Sequence, residues 1–168
     1  MPNKVLGVKI SQKSKEESRE EVKKFLESDS QHMIFTPNAE MLVDARKDDY
    51  FQEILNDASL NLCDSKGVNF FTFNSFERIT GTDFMLDILE IAEKKNKSVY
   101  FLGSGSDKVT KNLEEKMEKQ FPNLNIVGSH PGPKIELKQV ENINKLGIDK
   151  NKNDKILHEI LMKSPDIL

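Results

Sequence analysis

The 168-residue sequence has few of the features that mark secreted, membrane-spanning or nucleic-acid-binding proteins. It contains one cysteine, Cys63, which excludes an internal disulfide framework and suits a reducing cytoplasmic compartment. It has no apolar run long enough to span a bilayer, and its first ten residues lack the long apolar segment of a signal peptide. Its net charge of −3 argues against nucleic acid as the main partner, because phosphate binding needs a concentrated positive field.

The composition that remains is that of an ordinary globular protein, with 36% hydrophobic and 32% charged residues. The length fits one domain with a sizeable core. Short apolar or β-branched runs alternate with longer segments of helical period, which predicts an α/β fold with a largely parallel sheet covered by helices. The predicted strands are Val5–Ile10, His32–Phe35, Leu60–Cys63, Val99–Leu102 and Asn125–Val127.

Apolar residues at helical spacing predict four helices. In the first three, these residues form apolar stripes that are expected to be buried in the core. These three stripes are Tyr50, Phe51, Ile54, Leu55 and Ala58; Phe84, Met85, Ile88, Leu89 and Ala92; and Val109, Leu113, Met117 and Phe121. Residues 149–154 are expected to form a polar loop before a last amphipathic helix that carries Ile156, Leu157, Ile160 and Leu161. Ile167 and Leu168 are expected to begin a new strand.

Polar residues follow the second and third predicted strands, where open α/β sheets bind ligands. Asn38 in the segment Thr36-Pro37-Asn38-Ala39-Glu40 suits the N-cap of a helix, or it faces a ligand hydroxyl or phosphate together with Thr36. Asp64, which is followed by Gly67 and a helix-like run, is either another helix cap or a general base. The sequence leaves both pairs of alternatives open.

Three further segments are candidates for ligand binding. Arg78 precedes Gly81 and Asp83, and it is either solvated or a partner for an anion, while Thr80 or Thr82 caps the next helix. The loop Gly103-Ser104-Gly105-Ser106 is compatible with the approach of a phosphate but is only a weak dinucleotide signal, because Lys108 stands at the third glycine position. His130 lies in a turn-rich segment, where a surface turn competes with a ligand contact. No metal ligand set is evident.

Taken together and in order, these segments resemble the WecG/TagA/CpsF family of bacterial glycosyltransferases, from about Val5 to the last residue. The most specific parts are Thr36-Pro37-Asn38-Ala39-Glu40 and the Arg-x-x-Gly-x-Asp pattern of residues 78–83. The family motif around Asp64 usually reads Pro-Asp-Gly, whereas Cys63 and Ser65 flank it here.

The resemblance implies a Rossmann-like α/β enzyme with helices on both faces of its sheet, at the inner face of the cell membrane. It would transfer a sugar, commonly N-acetylmannosamine or its uronic acid, from UDP to a polyprenyl-diphosphate-linked amino sugar with inversion, and without a metal or cofactor. By the same likeness, Asp64 is the catalytic base, and Thr36 and Asn38 lie in the active pocket with Arg78 and Asp83. Gly67, Gly81, Gly103, Ser104 and His130 are the further substrate-binding candidates.

The resemblance also implies that residues 1–168 are a single catalytic core. It would lack the C-terminal strand, the nucleotide loop and the basic appendage through which a full-length form contacts the membrane. An unpaired sheet edge would then favour self-association. Two other functions remain open: a catalytically silent domain that binds a nucleotide sugar or a partner, and an unrelated nucleotide-binding enzyme that uses the Gly103 loop.

Overall fold

The computed structural model describes residues 4–71, 76–103, 105–133, 135–140, 143–148 and 150–168. Short strands and longer helices alternate along these ranges. The strands are β1 (Lys4–Val5), β2 (Val8–Lys9), β3 (Ile34–Phe35), β4 (Leu60–Asn61), β5 (Ser98–Leu102), β6 (Asn125–His130), β7 (Ile135–Val140) and β8 (Ile143–Ile148). The helices are α1 (Lys15–Phe25), α2 (Ala39–Ala45), α3 (Asp49–Asn56), α4 (Lys66–Phe71), α5 (Gly81–Lys94), α6 (Asp107–Gln120) and α7 (Lys150–Lys163).

In the described ranges the strands pair as four separate two-stranded ladders. The β3–β4 and β5–β6 ladders are parallel, whereas β1–β2 and β7–β8 are antiparallel. Isolated parallel bridges join Cys63 to Arg78 and Val99 to Ile167. The α/β class is therefore confirmed. The Rossmann-like sheet is not, because the ladders are short and separate.

The chain divides into two compact units, Met1–Ile88 and Leu89–Leu168, which we call unit 1 and unit 2. In unit 1 the parallel pair β3–β4 is joined by α2 and α3, and an apolar cluster forms the core. The cluster consists of Val8, Ile10, Leu42, Ala45, Leu55, Cys63, Val68 and Phe76. Cys63 belongs to this core and adjoins Asp64, so the polar loop after β4 starts from a buried anchor.

Helix starts in unit 1 follow ordinary capping chemistry. Ser14 and Glu17 form a reciprocal capping box on α1, and the Ser14 backbone N–H lowers the pKa of Glu17. The Asp48 side chain accepts a hydrogen bond from the Phe51 N–H at 3.1 Å and caps α3. These caps fix where the helices begin and therefore how long the loops before them are.

Unit 2 is built on β5–α6–β6, a parallel strand pair joined by a helix. Tyr100 is buried at the centre of β5, and its hydroxyl donates to Glu159 on α7 at 3.0 Å. Burial, together with Glu159, raises the pKa of Tyr100 to about 12. The Tyr100 ring lies against Gly128, where an added Cβ would stand 2.7 Å from the ring.

The predicted strand start at residues 167–168 is confirmed in part, since Ile167 pairs with β5. The Ile167 N–H donates to the Ser98 carbonyl at 3.0 Å, and the Tyr100 N–H donates to the Ile167 carbonyl at 2.9 Å. Asp166 fixes this pairing because its carboxylate accepts from the Ser98 hydroxyl at 2.7 Å and from the Ser98 N–H at 2.8 Å. These hydrogen bonds, with Lys97, lower the pKa of Asp166 to about 2.

Several predicted boundaries are wrong. The single strand Val5–Ile10 is a hairpin instead, because Leu6 and Gly7 both have positive φ, 50° and 92°, and reverse the chain between β1 and β2. The polar loop predicted at 149–154 is largely helical, since α7 already begins at Lys150. β6 extends to His130, so that residue ends a strand and does not lie in a surface turn. The hairpin β7–β8 was not predicted.

The apolar stripes are mostly buried, with clear exceptions. Leu55, Phe84, Leu89, Ala92 and Met117 are buried as predicted. Tyr50 and Val109, which were expected in the core, are 73% and 51% exposed. They lie in the first turns of their helices, where a side chain at core spacing extends past the packed surface.

Within the described part of the chain, no helix is both long enough and apolar enough to cross a membrane.

Candidate active site

The loop between β3 and α2 brings Thr36 and Asn38 to the end of a parallel strand. Asn38 is the N-cap of α2, and its side-chain oxygen accepts a hydrogen bond from the Met41 N–H at 2.9 Å. The capping interpretation of Asn38 is therefore confirmed. The residue is exposed, whereas Pro37 before it is buried and Thr36 is half-buried.

Asp64 follows β4 and does not cap the helix after it. The Ser65 hydroxyl does so, accepting from the Val68 N–H at 3.3 Å. Asp64 Oδ2 instead accepts a hydrogen bond at 3.1 Å from the N–H of Gly81, the first residue of α5. The carboxylate is thus bound to the positive end of a helix 17 residues further along the chain.

Arg78 lies beside Asp64 because its backbone pairs with Cys63 in a parallel bridge. The Ile79 N–H donates to the Cys63 carbonyl at 2.9 Å and fixes this register. Arg78 Nη2 is 3.6 Å from Asp64 Oδ1, with 39% and 27% of the two side chains exposed. The two carboxylate oxygens therefore differ: Oδ2 is hydrogen-bonded to backbone, and Oδ1 faces a loosely held guanidinium.

Gly81 also brings Thr36 into this cluster. A Cβ on Gly81 would stand 2.7 Å from Thr36 Oγ1 and 3.4 Å from Thr36 Cβ. Since Gly81 contacts Thr36 on one side and donates to Asp64 on the other, Thr36 and Asp64 meet at the same residue. The structure thus assembles Thr36, Asp64, Arg78 and Gly81, four of the residues singled out in the sequence.

Asp83 and Gly67 take more local positions. Thr80 caps α5, because its hydroxyl accepts from the Asp83 N–H at 3.4 Å and donates to the Asp83 carboxylate at 2.5 Å. Of the two threonines proposed as caps, Thr80 is therefore the correct one. Gly67 lies exposed in the first turn of α4, with Ser65 Oγ 3.6 Å from where its Cβ would be.

In unit 2 the loops after β5 and β6 lie side by side. Gly103, Gly105 and Gly132 have φ of 108°, 77° and 85°, values that L side chains rarely adopt. The Gly103 N–H donates to the His130 carbonyl at 2.9 Å, and the Gly105 N–H donates to the Pro131 carbonyl at 3.2 Å. These glycine amides therefore hold the two loops together.

The His130 side chain is fixed by the same loop. Its Nδ1 accepts a hydrogen bond from the Gly132 N–H at 3.0 Å, so in the neutral ring the proton is assigned to Nε2. His130 is half-buried and presents a defined donor, Nε2–H. Ser104, the other candidate in this region, lies outside the described residues.

Comparison with known proteins decides the family. Residues 3–168 match the family model described as the glycosyl transferase WecG/TagA/CpsF family. The chain belongs to this family. It is therefore a glycosyltransferase-family protein, as its sequence motifs predicted.

One curated relative of this glycosyltransferase chain is an N-acetylglucosaminyldiphosphoundecaprenol N-acetyl-beta-D-mannosaminyltransferase of Bacillus subtilis (strain 168). The two are 34% identical over 105 residues, which are 60% of this chain and 40% of the relative. The matched region thus spans less than half the length of that enzyme.

Sequence reasoning missed the residues that hold the glycosyltransferase motif of residues 77–83 in place. Glu77 accepts from the Lys15 N–H at the start of α1, at 3.0 Å. Asp87 pairs with Arg19 at 2.5 Å and with the Lys15 ammonium at 2.7 Å. The partners are 62 and 68 residues apart in sequence, so no local pattern links them.

Among the side chains that the structure describes, no three or more His, Cys, Asp or Glu residues group closely enough to hold a metal ion.

Proposed function

We propose that this chain transfers N-acetylmannosamine, or its uronic acid, from a UDP-sugar to a polyprenyl-diphosphate-linked N-acetylglucosamine with inversion at the anomeric carbon. The observation that carries the proposal is the Asp64 carboxylate, which is bound to the α5 N-terminus and lies beside Thr36 and Arg78 in a family of glycosyltransferases. The donor and acceptor follow the chemistry implied by the motifs and by the name of the Bacillus relative.

Asp64 is the general base of the proposed reaction. The acceptor hydroxyl attacks the anomeric carbon, its proton passes to Asp64, and the bond from that carbon to the UDP oxygen breaks. Oδ2 is already bonded to the Gly81 N–H at 3.1 Å, so Oδ1 is the oxygen that takes the proton. Fixing one oxygen orients the other, which is how a positioned base gains rate over a free carboxylate.

Arg78 supplies positive charge in the same proposal. Its ion pair with Asp64, at 3.6 Å and partly exposed, is weak, so the guanidinium can turn from Asp64 to an anionic oxygen of the substrate at little cost. A guanidinium matches diphosphate oxygens with two parallel hydrogen bonds. Thr36 and Asn38 would bind sugar hydroxyls, with the Asn38 side-chain NH₂ as donor, because the Asn38 oxygen is used by the α2 cap. Gly67 and Asp83 complete the substrate-binding set that we propose in unit 1.

In unit 2 we propose that His130 and the glycine loop bind the donor nucleotide. The glycine amides already bond within the loops, so they shape the surface and the ligand contact falls to the His130 Nε2–H. Gly103 would border the nucleotide-binding surface, and Ser104 stays a sequence-based candidate outside the described residues. The reaction needs no cofactor in this proposal, and stabilisation of the leaving UDP comes from cationic and N–H groups without a metal.

The test is transfer from radiolabelled UDP-N-acetylmannosamine to a polyprenyl-diphosphate N-acetylglucosamine, with and without a chelator. The expected result is a labelled lipid disaccharide with the inverted anomeric configuration, at a rate that the chelator does not change. Asp64→Asn is the negative control, because the amide cannot take up the proton. Normal turnover in that variant would refute Asp64 as the base.

The same assay separates the alternatives. A folded chain that binds UDP but transfers no sugar would indicate the catalytically silent domain. Calorimetric binding of NAD or ATP in preference to UDP would indicate an unrelated nucleotide-binding enzyme. Vesicle co-sedimentation and the elution volume of the chain test the proposed peripheral membrane contact and self-association.

A further inference from the structure

We propose that Gly81 is a positioning residue for Asp64: only a residue without a side chain lets Thr36 lie against the start of α5 while the Gly81 N–H holds Asp64 Oδ2. This inference rests on the proposed function, in which Asp64 is the base. In this inference Gly81 does not contact substrate. It sets the distance between the Thr36 hydroxyl and the Asp64 carboxylate.

The contact at Gly81 is tight. A Cβ there would be 2.7 Å from Thr36 Oγ1, a separation that real Cβ atoms essentially never show. Thr36 is β-branched, so its side chain has few rotamers in which to avoid the added atom. Thr36 is followed in the chain by the buried Pro37, which leaves the loop little room to retreat.

The helix itself does not require glycine at this position. Gly81 is the first residue of α5 and does not have a positive φ, and alanine is a better helix former than glycine. Alanine at position 81 would therefore suit the backbone and conflict only with Thr36. The requirement for glycine at position 81 therefore comes from the contact with Thr36 and not from the helix.

The consequence of an added methyl group is a displaced base. Either Thr36 moves away or the start of α5 shifts, and in the second case the N–H that binds Asp64 Oδ2 shifts with it. A misplacement of about 1 Å in a catalytic group lowers rate on the order of 100-fold. Substrate binding by groups elsewhere would change much less.

A double-mutant cycle in the full chain tests this. Gly81→Ala should lower kcat on the order of 10- to 100-fold, with the acceptor KM changed by less than about threefold. Thr36→Ser keeps the hydroxyl but removes the methyl group, so the smaller side chain can rotate away. In the Thr36→Ser background, Gly81→Ala should therefore cost much less than it does with Thr36 present.

A spectroscopic measurement tests the contact without activity. The ¹H–¹⁵N signal of residue 81 should move upfield in Asp64→Asn, because a carboxylate that accepts from that N–H is lost. Because glycine and alanine amides differ intrinsically in chemical shift, the two proteins with alanine at position 81 are compared with each other. The residue 81 amide proton should lie further downfield in Gly81→Ala with Thr36→Ser than in Gly81→Ala alone, because the hydrogen bond to Asp64 is restored. A merely structural glycine would not show this dependence on residues 36 and 64.

Gly7→Ala is the matched control. Its Cβ would also stand 2.7 Å from a side-chain atom, Gln52 Nε2, at a residue in the same unit with φ of 92°. It should lower the melting temperature and leave kcat unchanged.

Equal kcat in Gly81→Ala and wild type, or no response of the residue 81 amide to Asp64→Asn, would overturn the positioning role. Full transfer by Asp64→Asn with the amide response intact would instead refute the proposed function.

Discussion

Units 1 and 2 both place a loop after a parallel strand pair, but they use that loop differently. In unit 1 the loops after β3 and β4 present side chains, and Asp64, Arg78 and Thr36 gather around Gly81. In unit 2 the loops after β5 and β6 are shaped by glycines with positive φ, whose amides bond to neighbouring carbonyls. Unit 1 gathers a carboxylate, a guanidinium and a hydroxyl group, whereas the described part of these unit 2 loops includes glycine-shaped backbone and the His130 ring.

The same strand–loop–helix pattern can therefore present reactive side chains in one unit and a backbone shape set by glycine in the other. Exposed side-chain ion pairs contribute little to stability and can exchange partners, so the unit 1 cluster can serve chemistry. Backbone conformations that only glycine adopts easily are costly to change, so the unit 2 loops should serve shape. Substitutions in the unit 1 cluster around Gly81 should therefore alter rate, and those at the glycines of the unit 2 loops should alter stability.

Apart from loss of the Asp64 carboxylate, the largest effect is expected for Arg78→Ala in unit 1. We expect kcat/KM for transfer to fall on the order of 100-fold, because the guanidinium would stabilise charge on the departing diphosphate. The melting temperature should hardly change, since the pair with Asp64 is 3.6 Å apart and half-exposed. Steady-state kinetics and thermal unfolding on the same preparations measure both.

Arg78→Lys is the matched control for charge alone. It keeps the positive charge but loses the planar fork, so its activity should lie between wild type and Arg78→Ala. If Arg78→Ala markedly lowered the melting temperature and kept the wild-type kcat/KM, unit 1 would not differ from unit 2 in the way described.

A smaller effect, now on stability, is expected for Gly103→Ala in unit 2. The residue has φ of 108°, and an alanine forced into such a conformation costs about 1–3 kcal/mol. Apart from the chain neighbours, no atom of the described residues lies within 4 Å of the position of the new Cβ, so the cost is conformational and not a clash. Urea unfolding should show the loss, and UDP affinity should fall as the loop changes shape.

A matched substitution is available in the same loop at Gly105, where φ is 77° and the space is also open. Gly105→Asn should cost less than Gly105→Ala, because asparagine tolerates positive φ better. Equal stability of all these variants and wild type would contradict the view that loop shape in unit 2 depends on glycine.

The smallest effect is expected for Asp166, which fixes Ile167 against β5. Its pKa is lowered to about 2 from an ordinary 3.8, so its stabilising effect is present above pH 4 and is lost as the pH falls toward 2. Because 37% of the side chain is exposed, we expect about 1 kcal/mol after allowance for solvent screening.

Unfolding free energies of wild type and Asp166→Asn measured from pH 7 to pH 2 check this prediction. The difference between the two proteins should shrink as the pH falls. A difference that stays constant over that range would show that the carboxylate charge does not contribute.

Local sequence patterns were enough to predict the α/β class and the helices with strong apolar period, and they offered Asn38 and Thr80 as caps among open alternatives. These features depend on neighbours within a few residues. Local patterns did not predict the chain reversal within Val5–Ile10, because an alternating apolar run does not show that Leu6 takes a positive φ. They also could not show that Asp64 serves α5, because its donor lies 17 residues away.

The residues of the candidate site were predicted better than the contacts that hold their segment against α1. Thr36, Asp64, Arg78 and Gly81 stood out as polar residues or glycine at strand ends, and the structure gathers them. The contacts of Glu77 with α1 and of Asp87 with Arg19 depend on how α1 packs, which no motif records. Charged side chains are ordinarily solvated, so nothing marked Glu77 and Asp87 as structural.

The most direct test of this division is to measure transfer rate and UDP affinity together in Asp64→Asn. We predict that the rate falls on the order of 1,000-fold while the calorimetric affinity for UDP stays that of wild type. Asp57→Asn, the same change at an exposed residue after α3, should alter neither. A rate that persists in Asp64→Asn, or a UDP affinity that falls in step with the rate, would contradict the account.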